Sequence, residues 1–362
     1  MSGATLAALV RAAFGPEPPD KLGVAVSGGG DSTALLVLLD DWRRDGGPEL
    51  AVATVDHGLR PEAAAEAAAV AALCTRLGVP HETLAWRWDG KGNLSDAARR
   101  GRLRLIAGWA KGRGIGMVAQ GHTADDQAET FLMRLARGSG VDGLAAMAAR
   151  RTAEGVAWVR PLLQVRRGDL RAFLRARGVA WADDPTNDDQ AYDRVKARQA
   201  LSTLASLGLT AETLTATAGW MALAREALEH AALRLARDAA RVAAGDVVID
   251  AARFAAAPLE TQLRLLAAAL MWVGGQEYRP RLDGLTHLHA GLAAGKPQTL
   301  AGCVVVAAKG ALRVTREWRA VRDAVAAPGQ PWDCRWVLAG PASPGLTVRA
   351  LGDAGLRACM DW

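Results

Sequence analysis

The sequence predicts an α/β protein: a doubly wound, mostly parallel sheet, then a helical domain and a short α+β C-terminal region. Three observations predict it. Short apolar runs alternate with helical patterns through the first 120 residues. A glycine-rich turn, Ser27 to Thr33, joins the first apolar run to the first long helical pattern. A polar turn at residues 183–189 precedes a shift to Ala- and Leu-rich sequence without chemical motifs.

Taken in order, strands are expected at Leu22–Val26, Leu50–Val55, His81–Trp86 and Gly116–Ala119. Helices are expected to begin near Ser32, Pro61, Asn93 and Thr123, where Pro61 suits a first helical position and Asn93, Ser95 and Thr123 suit caps. A strand-like run, Val156–Leu163, precedes an Arg-rich helix over Arg166–Arg177. Residues Thr210 to His289 carry helical spacing. The last 70 residues read as short strands, Cys303–Ala307, Leu312–Thr315 and Thr347–Ala350, between Gly and Pro turns. The expected domains are 1–205 (nucleotide-binding and catalytic), 206–290 (helical) and 291–362 (short C-terminal).

Composition narrows the class. Of 362 residues, 50% are hydrophobic and 23% charged, as in ordinary globular chains. Lys and Arg outnumber Asp and Glu by 44 to 38, which permits a nucleic-acid partner without establishing one. Cys74, Cys303, Cys334 and Cys359 show no zinc, redox-pair or iron–sulfur spacing, so reduced thiols are expected. No apolar run approaches the ~20 residues of a membrane span. Arg11 interrupts the short N-terminal apolar stretch, so no signal peptide is expected and the location is read as cytoplasmic.

The strongest chemical signal is Ser27-Gly28-Gly29-Gly30-Asp31-Ser32-Thr33, directly after a strand and opening a helix. Glycines let the backbone approach phosphate, and free amides at a helix N-terminus bind anions. Hydroxyls of Ser27, Ser32 and Thr33 are expected to add hydrogen bonds. A Walker loop would end in Gly-Lys-Ser/Thr, and no lysine is present. A dinucleotide fingerprint, with Asp56 as the ribose-binding acid, fails because Thr33 replaces the third glycine and Asp31 puts a carboxylate beside the pyrophosphate. That carboxylate makes sense with Mg2+ between it and the phosphates.

The Ser-Gly-Gly-x-Asp-Ser pattern resembles the PP-loop of ATP pyrophosphatases. Three further segments narrow the resemblance: Val55-Asp56-His57-Gly58-Leu59-Arg60, then Gly121-His122-Thr123-Ala124-Asp125-Asp126-Gln127-Ala128-Glu129-Thr130, then Arg137-Gly138-Ser139-Gly140. Arg160-Pro161-Leu162-Leu163 and Asp184-Pro185-Thr186-Asn187 follow. In this order, over about residues 20–200, they resemble tRNA(Ile)-lysidine synthetases.

The resemblance implies a Rossmann-like PP-loop domain and a two-step reaction. ATP adenylates the C2 carbonyl oxygen of the wobble cytidine in a tRNA(Ile) bearing a CAU anticodon; the ε-amine of free L-lysine then attacks C2 and displaces AMP to give lysidine. It implies ATP as substrate and Mg2+, with the tRNA-binding helical region at 206–290. Asp31 would be the metal-associated carboxylate, with Ser27 through Thr33 and His57 about the nucleotide. Arg99 would face the nucleotide and stabilise charge in the transferred phosphoryl group. Arg194, Lys196 and Arg198 would neutralise tRNA phosphates.

Asp126 and Glu129, three apart on one helix face, would hold lysine's cationic groups or take its proton. An acidic first turn complementing the helix dipole is the other reading of that pair. His57 and His122 read equally as structural or nucleotide-facing. Thr123, Ser95 and Val195 depart from residues frequent in the family, namely His, Glu or Gln, and Asn. A tRNA 2-thiocytidine synthetase would need cluster-binding cysteines, and no Cys-x-x-Cys exists. A non-catalytic nucleotide-binding module would not require the set Asp31, Asp126 and Glu129. A NAD-binding oxidoreductase is a third alternative. His287 and His289 lack a nearby ligand cluster. The oligomeric state is open, a homodimer included.

Overall fold

The computed structural model describes residues 1–58, 62–88, 90–182, 193–276, 278–340, 345–352, 355 and 357. Leu59, Arg60, Pro61, the acidic turn from Asp183 to Asp189 and Cys359 therefore lie outside the described residues. The chain divides into two compact units, Met1–Arg225 and Glu226–Trp362.

In the first unit, α1 (Gly3–Ala12) precedes β1 (Lys21–Ala25), α2 (Gly30–Arg44), β2 (Glu49–Asp56), α3 (Glu62–Leu77) and β3 (His81–Ala85). Then come α4 (Leu94–Gly112), β4 (Met117–Gln120), α5 (Ala124–Leu135), α6 (Val141–Leu144), β5 (Arg150–Ala153), β6 (Val156–Val159), α7 (Arg167–Ala176) and α8 (Asp193–Leu204). The sheet order is β3-β2-β1-β4-β6-β5. All neighbours run parallel except β5, which pairs antiparallel with β6. The expected parallel strands are present within a few residues. The β5–β6 hairpin was not anticipated; it turns on Glu154 and Gly155, both at positive φ (52° and 70°), as a two-residue hairpin requires.

Both sheet faces are covered, so the inner strands β1, β2, β4 and β6 read as largely apolar runs. On one side α1, α2, α3 and α7 bring Leu6, Leu35, Leu39, Val70 and Leu174 against Leu22, Val24 and Val52. On the other, α4 packs Ile106 and Trp109 against Val118 and Trp158. The indole N–H of the fully buried Trp158 donates to the Ala153 carbonyl at 3.0 Å, which satisfies its one polar atom. In α2, Ser32 through Asp40 are all buried. A fully buried leucine contributes ~1.5–3 kcal/mol. The helix that opens at the glycine loop is therefore anchored by the core rather than by its cap.

The long helix α9 (Ala211–Ala239) leads from the first unit into the second. There, β7 (Ala240–Ala243), β8 (Asp246–Asp250), β9 (Gln298–Leu300), β10 (Cys303–Ala308) and β11 (Ala311–Arg316) form a sheet of order β7-β8-β11-β10-β9. The β7–β8 hairpin interrupts the stretch expected to be helical, turning on Ala244 and Gly245 at φ 50° and 81°. Helices α10 (Leu259–Gly274) and α11 (Leu282–Ala293) share one apolar cluster with this sheet, through Leu266, Leu270 and Leu285 against Ile249, Val305 and Val314. Segments read as lying on two sides of residue 290 are thus joined by a common core. Among the described residues no helix is long and apolar enough to cross a membrane.

Candidate active site

The strand order reverses between β1 and β4, and such a switch point leaves a crevice beyond the C-terminal strand ends. A cavity of about 1340 Å³ opens there, wholly within the first unit. Ser27 and Gly29 to Ser32 line it from the glycine loop, and Val55 and His57 from the end of β2. Gln120, Gly121 and His122 enter from β4, Asp126 and Glu129 from α5, Arg167 from α7, and Arg194 and Arg198 from α8.

The glycine loop is shaped from within. Gly28 sits at φ 92°, where a side chain would be strained. Its carbonyl accepts from the Ala182 amide at 3.0 Å and from the Thr33 hydroxyl at 3.3 Å. The Ser32 hydroxyl donates to the Gly29 carbonyl at 3.1 Å and accepts from the Ser27 amide at 3.1 Å. The hydroxyls of Ser32 and Thr33 thus brace the loop in this structure, instead of pointing at a ligand as the sequence suggested. Gly29 caps α2 without a side chain, which leaves first-turn amides to meet an anion. Gly121 packs so closely that a Cβ there would lie 2.8 Å from Ser32 Cα.

Beside the loop, three carboxylates converge on one guanidinium. Arg167 donates through Nε to Asp31 Oδ2 at 2.9 Å and through a terminal nitrogen to Asp126 Oδ1 at 3.2 Å. Its other terminal nitrogen lies 3.8 Å from Glu129 Oε1. That Glu129 oxygen also accepts from Arg198 Nε at 2.9 Å. Asp31 Oδ1 and Glu129 Oε2 are buried and have no hydrogen-bond partner among the described residues. Asp126 caps its helix and faces the carboxylate cluster at once. Its Oδ2 accepts from the Thr123 amide and hydroxyl at 2.9 and 3.0 Å in a capping box, while Oδ1 faces Arg167.

The electrostatics follow from this packing. Burial pushes the Asp31 carboxyl up, and Arg167 opposes it. Burial also raises Glu129, with Asp126 adding to the rise and Arg198 opposing. Burial acts likewise on Asp126, but Arg167 and the Thr123 amide outweigh it and hold that carboxyl below its usual range. Desolvation lowers His122 to about 3 against the pull of Asp126, so the imidazole is neutral. Burial pushes the Arg167 guanidinium down, but Asp126 and Asp31 overcome it and raise the group above its usual value.

The structure brings together Ser27, Gly29, Gly30, Asp31, Ser32, His57, Asp126, Glu129, Arg194 and Arg198 around the cavity. Gly28 and Thr33 shape the loop from behind. Arg99 is exposed on α4 and does not line the cavity; Arg102, one turn further on, does. Lys196 is exposed on α8 and also lies off the cavity. Arg198 is turned inward onto Glu129. Sequence reasoning missed Arg167, Arg102 and Gln120. Arg167 had one signal, its place at the N-terminus of the helix after Arg160-Pro161-Leu162-Leu163; the others had none beyond a basic helix and a strand end.

A glycine loop without a Walker lysine, opening a helix at the switch point with a carboxylate in its first turn, defines an ATP-using PP-loop domain. The PP-loop domain family matches residues 4–205. A U34-tRNA thiolase, NcsA from Methanococcus maripaludis with its 4Fe–4S cluster, shares the fold with TM-score 0.52 and 16% identity, over 60% of this chain and 78% of that one. The tRNA(Ile)-lysidine synthase of Ruegeria pomeroyi is 50% identical over 354 residues, covering 98% of this chain and 84% of that protein. Those of a Bradyrhizobium species and Mesorhizobium japonicum are 42% and 40% identical, over 81% and 92% of this chain and 89% and 76% of theirs. The chain belongs to the tRNA(Ile)-lysidine synthase family.

Proposed function

We propose that this enzyme joins L-lysine to C2 of the wobble cytidine of a tRNA(Ile) with a CAU anticodon, through an adenylated cytidine, releasing AMP and pyrophosphate in the cytoplasm. The observation that carries the reading is the convergence of Asp31, Asp126 and Glu129 beside the glycine loop. A pyrophosphate leaving group needs anion-binding amides, and an incoming ammonium needs carboxylates; both lie in one cavity.

In the first step the α2 N-terminus holds the triphosphate and the cytidine carbonyl oxygen attacks the α-phosphorus. Mg2+ suits this site because Asp31 Oδ1 is a buried oxygen with no donor among the described residues, and Mg2+ takes one or two carboxylates together with substrate phosphates. Bound there, it would neutralise the departing pyrophosphate. Arg102 and Arg194, which also line the cavity, supply positive charge. In the second step Asp126 and Glu129 bind lysine's cationic groups, and one of them accepts the proton lost as the ε-amine attacks C2 and AMP departs. Lys196, exposed on α8, and Arg194 on the cavity rim are the proposed tRNA phosphate contacts.

The direct test is incubation with ATP, lysine and bulk tRNA, followed by mass analysis of nucleosides. Lysidine should appear with stoichiometric AMP and pyrophosphate, and Asp31→Ala should remove nearly all of it with the fold intact. Stoichiometric ADP would overturn the reading. Normal lysine dependence in both Asp126→Asn and Glu129→Gln would leave the helix cap as the role of that turn.

A further inference from the structure

The carboxylate cluster already holds a cation. Arg167 is the first residue of α7, and its own amide is fixed by Asp125 Oδ2 at 2.7 Å. The backbone is therefore anchored independently of where the side chain points. Its fork reaches Asp31 at 2.9 Å, but Asp126 at 3.2 Å and Glu129 at only 3.8 Å. One guanidinium spread over three carboxylates does not saturate them: Asp31 Oδ1 and Glu129 Oε2 keep unused acceptor capacity.

We infer that Arg167 is a resident stand-in for the substrate cations: it holds the three carboxylates in register and leaves them when Mg2+ and lysine's ammonium arrive. The inference rests on the lysine-joining reading above. Asp31 and Asp126 cannot engage a metal ion or an ammonium group at full strength while a third positive charge lies between them, since like charges at this range oppose each other. Arg167 is thus a positioning residue that competes with what it prepares for.

The test uses the full chain with Mn2+ as the probe, titrated by its free-ion electron paramagnetic resonance signal in the presence of α,β-methylene-ATP. Arg167→Met keeps the apolar stem and removes the charge; Arg167→Lys keeps the charge but loses the fork. Arg167→Met should bind Mn2+ about tenfold more tightly than the parent, the effect of removing an opposing charge worth about one pK unit. Its KM for lysine should fall while kcat also falls, because binding gains what positioning loses. A folded Arg167→Met with unchanged or weaker Mn2+ binding would show a fixed scaffold and overturn the inference. Should that variant fail to fold, as circular dichroism would show, Arg167→Lys decides. Tighter Mn2+ binding in it, about threefold, supports displacement, and parental affinity overturns it. Loss of lysidine formation in the unsubstituted chain would overturn the functional reading alone, since the Mn2+ titration does not depend on it.

Discussion

Arg198 on α8 donates through Nε to Glu129 Oε1 at 2.9 Å, across 69 residues of sequence. Glu129 is almost fully buried, so this pair sits inside the site rather than on a solvated basic face.

The pair sets the outcome of charge removal along α8. Arg198→Ala leaves a buried carboxylate short of a partner, which costs about 2–4 kcal/mol after discounting for the partial exposure of Arg198. Arg194→Ala, which breaks no ion pair among the described residues, should leave stability within about 0.5 kcal/mol. It should instead lower the log–log salt slope of tRNA binding by about one unit. Urea unfolding and filter binding at several salt concentrations separate the two. Equal destabilisation by both substitutions would refute the assignment.

The two arginines of α4 should differ in the same way. Arg102 lines the cavity, where burial, Arg194 and Arg99 push its guanidinium below the usual value. Arg99 stands outside on the exposed face. Arg102→Gln should slow adenylation by about 10- to 1000-fold, the range seen on removing a charge-stabilising donor, and Arg99→Gln by far less. Single-turnover AMP release measures this. A larger loss at Arg99 would return the role to the residue that the sequence suggested.

Gly121 is where β4 passes the glycine loop. Ala there would place Cβ 2.8 Å from Ser32 Cα, so backbone must move. Overpacking of this kind costs about 1–3 kcal/mol. Because the displaced atoms belong to the phosphate loop, the KM for ATP should rise as well. Gly30→Ala meets the Trp181 ring at 3.3 Å, a longer contact and to a side chain instead of backbone, and should be milder. Thermal unfolding with ATP titration reports both, and a harmless Gly121→Ala would show that the loop tolerates displacement.

The pH dependence has a definite sign at His122. Its folded pKa, about 3, lies below the ordinary 6.5, so the unfolded chain binds the extra proton first. The stability this group contributes is present above pH 6.5 and is lost as the pH falls toward 3. The raised carboxyls of Asp31 and Glu129 act in the opposite sense, since the folded chain takes up their protons earlier. His122→Asn should therefore lose less stability than the parent between pH 7 and 4.5. Urea midpoints at the two values give the comparison, and an equal loss would place the acid sensitivity elsewhere.

The doubly wound sheet was legible because its inner strands, β1, β2, β4 and β6, read as largely apolar runs separated by helical periods. The hairpins β5–β6 and β7–β8 were not. Their turns, Glu154-Gly155 and Ala244-Gly245, are short and unremarkable in composition, and β7 continues the Ala-rich pattern of the helix before it. The glycine loop with Asp31 was legible from residue types at short spacings, whereas spacing left Asp126 and Glu129 open between a cap and a site, and only the family resemblance singled them out.

What the linear chain determined by itself is local: which segments are strands or helices, and which turn carries the phosphate chemistry. What only the tertiary structure decided is which cation meets which carboxylate. Arg167 lies 136 residues from Asp31 and Arg198 lies 69 from Glu129, and no local pattern ties such partners together. The same holds for Arg102 over Arg99, because both stand on one basic helix and only its packing selects the side that faces the cavity. Periodicity is written in neighbouring residues. Charge complementarity across a crevice is set by the strand order, which brings side chains of distant helices within hydrogen-bond reach, 2.9 Å in both pairs.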